Sequence, residues 1–394
     1  MKKFNIKTLY IFSFISQCLP IYAFSTILFI ERGQSVSNIA MLIAIWSVFT
    51  IILEMPSGVL TDRWNRRNII SIAAASKGLC FITWFFSHTF IMFAIGFMFW
   101  AVSSALKSGA QESLIYDNLK SDGCEESFIN VYGKVEFYEK AGAIVGIASA
   151  GAISMFLRID ILALISAIIC FASAILALQI RERNLYSGRL SEKPASFLET
   201  FKGAGVFIKG HRIVLFSLLF LVLFANMGDY LEEFDALIIN DWELSNLWVS
   251  AIMIVGSAFV ALGGLLAPMI QKKISSVNQI FFINVLAYVT LAIFAVIWNQ
   301  YAILFYGISF MVLVVSKILL VNVLQREIKE EGRATVMSFY GVGANMMMIC
   351  FSLLYALLAG IFTLQQVYII MSILGIGGGL CFILLLKATK AGRS

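Results

Sequence analysis

The sequence predicts an all-α integral membrane protein: twelve transmembrane helices in two six-helix halves, with both termini in the cytoplasm. Three observations predict it. Of 394 residues, 60% are hydrophobic and 13% charged, and the mean hydropathy is +0.90, which leaves too little polar surface for a water-soluble domain. The apolar residues fall into long runs, and a helix needs roughly 20 of them to cross the hydrocarbon core of a bilayer. The basic residues segregate. With the N-terminus inside, 22 of the 29 Lys and Arg lie in inside segments, two (Arg32 and Arg158) lie outside, and five (Lys77, Lys107, Lys134, Lys140 and Lys317) lie within spans.

The first span covers 8–31. Lys2, Lys3 and Lys7 give it a positive start, yet the apolar run is too long for a cleaved leader and lacks a small-residue cleavage site. Pro20, beside Gln17 and Tyr22, is expected to kink it. Spans two and three, 36–60 and 68–87, flank a short turn that sets Asp62, Arg63, Arg66 and Arg67 behind Gly58. Spans four (90–118) and five (129–156) carry charges, and span six covers 159–180. The segment 181–211 is polar, and its Pro194 precedes Ala195–Lys209, where apolar and polar residues alternate as in a helix lying along the membrane surface. The halves are therefore 1–183 and 212–394, joined by a cytoplasmic linker at 184–211. Spans seven to twelve follow at 212–238, 243–270, 277–297, 300–325, 334–360 and 364–387.

The same inventory disfavours several classes. The net charge of +6 follows from topology and is a poor argument for nucleic-acid binding. Cys18, Cys80, Cys124, Cys170, Cys350 and Cys381 lie in or beside spans without paired spacing, so free thiols and no metal site are expected. His88 and His211 belong to no ligand set. With no phosphate-cradling Gly loop and no nucleophile triad, an ATP-driven pump or a membrane hydrolase is disfavoured, and no cofactor is expected.

The turn Gly58-Val59-Leu60-Thr61-Asp62-Arg63-Trp64-Asn65-Arg66-Arg67 resembles the loop between helices 2 and 3 of the major facilitator superfamily: Gly, three residues, Asp, Arg, one residue, Gly, Arg, Arg. Asn65 stands for the second Gly, and Asn tolerates left-handed backbone angles better than other non-Gly residues. A shift of 206 residues lands on Gly264 to Lys273, which keeps the Gly and the terminal basic pair but has Pro268 and Met269 for the Asp and first Arg. At the loop between helices 8 and 9, this fits a duplication of parallel halves. In span five, Gly133, Gly142, Gly146 and Gly151 are similar to the family's antiporter motif, with Ile147 for its Pro and Ala150 for a Gly. Small residues let helices approach closely, and the family places that contact at helix 8. Ser108–Leu119 and Glu54–Gly58 look like helices 4 and 2 of drug-exporter-like bacterial members, although the basic residue that many of those carry is Ala105 here.

The resemblance implies a secondary transporter of a small organic molecule, working as a monomer in the lipid of a bacterial cytoplasmic membrane. Its two halves rock around a midplane cavity and export cargo in exchange for protons. Uptake by symport or facilitated diffusion, a non-transporting sensor and a lipid translocator are the alternatives. The resemblance also implies a conformational latch of Gly58, Asp62, Arg63, Arg66 and Arg67 with Asp117, against a plain reading in which the arginines only fix topology. Ionisable groups inside spans are costly and read as functional. On that ground Lys107, Glu112, Glu136, Glu139, Lys140, Asn226, Asp229, Glu232, Glu233 and Lys317 are the candidates for proton coupling or the substrate cavity. Glu136 and Lys140, four apart, can instead pair on one helix face. Asn226, Asp229, Glu232 and Glu233 fall within roughly 120° of arc at 3.6 residues per turn, with a solvated helix end as the alternative. Lys77 can snorkel or pair with an acid. A cavity holding both Lys and Glu suits anionic or zwitterionic cargo, while Trp46, Trp84, Trp100 and Trp298 read as packing or interfacial residues.

Overall fold

The computed structural model describes residues 5–182, 211–242, 244–274, 276–327 and 330–391. Of the linker expected at 184–211, all but His211 lies outside them. The chain divides into two compact units, Met1–Lys193 with Ser245–Ala251, and Pro194–Leu244 with Ile252–Ser394. Eleven helical stretches among the described residues are long and apolar enough to cross a membrane, and they fall on the predicted spans other than the fifth. That one is the 26-residue helix Phe128–Ile153, whose apolar character is diluted by Lys134, Glu136, Glu139 and Lys140.

In the first unit the helices are α1 (Ile6–Gln17), α2 (Ser25–Glu31), α3 (Val36–Arg63), α4 (Arg66–Phe86), α5 (Phe90–Ser121), α6 (Phe128–Ile153) and α7 (Ile159–Ala177). Pro20 interrupts the first span as expected: α1 stops at Gln17, a 3₁₀ turn runs over Pro20–Ala23, and α2 resumes the direction. The break is held from outside, because the Ile21 N–H donates to Ser166 Oγ at 3.1 Å. Ser35 caps α3 by accepting from the Asn38 N–H at 3.1 Å, as the short polar side chain before a helix does. Asn65 does not adopt the left-handed conformation its substitution for Gly invites; it sits at φ −61° and ψ 120°, which any residue can adopt. The turn therefore has no need of a glycine at that position. α4 packs on α5 and α7, α3 on α5, and α1 on α6. Trp84 is fully buried, edge-on to Phe29 with ring centroids 4.8 Å apart and 5.3 Å from Trp100, so it serves packing.

The second unit contains α8 (Arg212–Phe220), α9 (Met227–Glu232), α10 (Asp235–Asp241), α11 (Asn246–Gln271), α12 (Val277–Ile297), α13 (Ile303–Glu327), α14 (Glu330–Ala359) and α15 (Leu364–Ala391). The first residues of α11 group with the first unit. Predicted span seven is not one helix. A π turn occupies Leu221–Ala225, where the Asn226 N–H reaches the Leu221 carbonyl at 3.1 Å, and a second break falls at Phe234. Such insertions change the angular register of everything beyond them and recur at functional sites. α12 packs on α13 and α15, and the stacked rings of Phe220 and Phe281, 3.9 Å apart, sit in the core of this unit.

Candidate functional site

In the first unit, Lys107 on α5 and Glu139 on α6 form an ion pair at 3.0 Å, with side chains 25% and 16% exposed. Gln111, one turn beyond Lys107 and hence on the same face, donates to the same Glu139 oxygen at 2.7 Å. Its own Oε1 is buried without a protein partner. Lys77 on α4 lies over the rings of Tyr22 and Trp100, with Nζ 4.9 and 5.1 Å from their centroids, a placement in which the ring quadrupole attracts the ammonium. Lys77 and Lys107 both line a small cavity of about 30 Å³ shared with Ser16, Gln17, Ser103 and Ser173. Sequence reasoning named Lys107 and Glu139 separately. The alternative of a Glu136–Lys140 pair is not met: both are exposed and no ion pair joins them among the described residues. Lys107 from the neighbouring helix neutralises Glu139 instead. Glu112 is also exposed.

At one end of this unit, Arg66 is 2% exposed, forms an ion pair with Asp117 and donates to the Ser113 carbonyl at 2.6 Å. Glu182 accepts the backbone N–H groups of Arg66 and Arg67 at 2.8 and 3.1 Å, satisfying donors that the start of α4 leaves open. The surroundings of Gly58 and the side chains of Asp62 and Arg63 fall outside the described set. Glu182 was not anticipated, because it reads as one charge among several at the start of the linker. At the opposite end, Asp160 takes Arg32 at 2.9 Å and Arg158 at 2.7 Å, and Arg32 also contacts the His88 ring. These residues line a cleft of about 640 Å³. The two basic residues expected outside thus share one acid.

The glycines of α6 face different neighbours. A Cβ on Gly142 would strike the Phe14 carbonyl, and one on Gly146 would lie 2.6 Å from the Leu19 nitrogen, so these two glycines pack on α1 and the break that follows it. Gly151 faces Ser250 at the start of α11, and Gly133 faces open space.

In the second unit, Lys317 on α13 forms an ion pair with Asp229 on α9. Asn226 is buried and accepts from the Tyr340 hydroxyl at 2.9 Å, whereas Glu232 and Glu233 are exposed. Of the four residues expected on one face, Asp229 meets α13 and Asn226 meets α14, and Tyr340 lies within electrostatic reach of Lys317 and Asp229 as well as bonding to Asn226. Asp235, which sequence reasoning passed over as part of a helix end, accepts a hydrogen bond from the Tyr306 hydroxyl.

A family model described as Major Facilitator Superfamily matches residues 7–328. Among solved structures, the nucleoside transporter NupG superposes with a TM-score of 0.79 at 14% identity, covering 97% of this chain and 99% of that one. A D-xylose–proton symporter gives 0.70 at 12% identity over 96% and 95%. A bacterial homologue of the human lysosomal transporter Spinster gives 0.70 at 16% identity over 98% and 96%. At such identities the likeness shows the fold. No curated protein matches the sequence.

Proposed function

The chain belongs to the major facilitator superfamily, a family of transporters and not enzymes, and on that premise we propose that it exports a small zwitterionic organic molecule across a bacterial cytoplasmic membrane in exchange for protons. One observation carries the reading: the Lys107–Glu139 pair, with Gln111 as its third member and Lys77 beside the same cavity. A buried ion pair resists separation, because removing either partner leaves an uncompensated charge. A zwitterion can replace both partners at once. Its carboxylate takes Lys107, its ammonium takes Glu139, and no charge is left unanswered. A proton on Glu139 abolishes the carboxylate that the ammonium needs, so proton and cargo compete, and competition for one group is the requirement for exchange. The Arg66–Asp117 pair, with Asp62 and Arg63, acts as the latch whose making and breaking separates the two access states.

Uptake by symport is the second reading, favoured by the two lysines on one cavity. A purely anionic cargo on Lys107 displaces Glu139, which then takes a proton from the outer side and releases it with the cargo on the inner side. Proteoliposomes with an internal pH dye separate the two. In vesicles acidic inside, a zwitterion added outside alkalinises the lumen if exchange operates. A symported anion acidifies the lumen of vesicles without a gradient. Silence with zwitterionic, anionic and cationic panels alike removes proton coupling from the account.

A further inference from the structure

Four acids have a cation: Glu139 has Lys107, Asp117 has Arg66, Asp160 has Arg32 and Arg158, and Asp229 has Lys317. Asp235 has none within ion-pair distance among the described residues. It opens α10 just past the second break in span seven, and its partner is the Tyr306 hydroxyl from α13. Tyr355 from α14 and Tyr368 from α15 are fully buried and within electrostatic reach of its carboxylate. Their hydroxyls interact with each other and, through Tyr368, with Tyr306, but neither makes a hydrogen bond of good geometry. The walls are aromatic: Tyr306 lies 4.8 Å from Phe294 and 6.1 Å from Tyr368, centroid to centroid, and Phe234 stacks on Tyr355 at 3.9 Å. The acidic groups that bear on Asp235 are its near neighbours Glu232 and Glu233.

We propose that Asp235, framed by Tyr306, Tyr355 and Tyr368, is the proton-loading carboxyl of the second unit, a role that the ion-paired Asp229 does not fill. This rests on the proton-coupled reading above. The geometry serves both forms of the group. As a carboxylate it accepts from Tyr306. As a carboxylic acid it keeps that bond at its carbonyl oxygen, while its new O–H has the Tyr355 and Tyr368 hydroxyls within electrostatic reach as the acceptors assigned to it. Burial without an acceptor is costly for an O–H donor, so a run of buried tyrosine hydroxyls beside an acid without a cation forms a receptive arrangement. Asp229, by contrast, gives up an ion pair whenever it takes a proton. Tyr306 is a positioning residue: it aims the carboxyl and holds no proton of the cycle.

The test is infrared difference spectroscopy of the full chain in lipid bilayers, between acidic and alkaline buffer, which needs no substrate. Among the carboxylic C=O bands that appear on acidification, one component is expected to be lost in Asp235→Asn and retained in Asp229→Asn. In Tyr306→Phe it moves to higher wavenumber, because a hydrogen bond to the carbonyl is gone. A difference spectrum unchanged by Asp235→Asn, or loss of that component in Asp229→Asn, overturns the proposal. If Asp235→Asn fails to fold, Tyr306→Phe decides, and an unshifted band there is fatal. A band that behaves as expected while no compound discharges a pH gradient leaves the carboxyl assigned and removes coupled transport, so the two readings fail separately.

Discussion

Lys107 and Glu139 are each expensive alone and inexpensive together. Lys107→Met strands a mostly buried carboxylate, with only Gln111 left of its two protein partners, and removal of one member of such a pair costs about 3 kcal/mol. Glu139→Gln strands the ammonium to a similar extent. The double substitution leaves two neutral side chains of nearly the original shape, so thermal melts in lipid nanodiscs should return close to the wild-type Tm. Exchange should stay absent in all three. A double mutant no more stable than the singles would show that the pair has no mutual dependence, and the competition mechanism would lose its basis. This residue-level chemistry was half legible in the sequence. An ionisable side chain inside an apolar run announces itself, which is how Lys107, Glu139, Asp229 and Lys317 were found. Periodicity, however, tells which residues share a face of one helix and not which helices abut. It therefore offered Lys140 to Glu136, when the cation that matters comes to Glu139 from α5.

At the scale of elements, the glycines of α6 make a graded experiment. Gly146→Ala puts a methyl 2.6 Å from the Leu19 nitrogen and 3.1 Å from backbone carbons of Cys18 and Leu19; backbone cannot yield as a flexible side chain can, and overpacking of this kind costs about 1–3 kcal/mol. Gly133→Ala meets nothing within 4 Å and should stabilise by about 0.5–1 kcal/mol, the helix-interior cost of glycine. Melting temperatures of the two variants should move in opposite directions. Equal shifts would mean that these residues matter through backbone entropy and not through the approach of α6 to α1. The four-glycine spacing was visible in the sequence, but the approach of Gly142 and Gly146 to the first span was not, since spacing records a need for closeness without naming the neighbour. Span seven shows a related gap. Apolar length predicted a single helix over 212–238, yet Leu221–Ala225 holds one residue more per turn. No proline or glycine marks that segment, so the register of Asn226, Asp229 and Asp235 could not be read from the chain.

Across the whole molecule, the first unit carries ion pairs at both of its ends, and they are expected to do different work. Asp160 ties α2 to the start of α7 through Arg32, and its side chain is 9% exposed. Asp160→Asn should lower the unfolding free energy by about 3 kcal/mol, whereas Arg158→Ala, at a side chain 78% exposed, should cost under about 1 kcal/mol. Below its melting temperature the Asp160→Asn protein should exchange cargo at close to the wild-type rate per folded molecule, because a staple at one end need not open during turnover. Asp117 is different. If the Arg66–Asp117 pair belongs to one latch with Asp62, then Asp117→Asn and Asp62→Asn each slow flux several-fold at constant membrane expression. The double substitution is then no slower than the worse single, since groups within one network do not add. Flux multiplied down in the double mutant would separate Asp62 from Asp117 and divide the latch into two devices. Normal flux in Asp62→Asn would reduce the basic turn to a topology signal, with Arg66 and Glu182 holding the start of α4 for structural reasons.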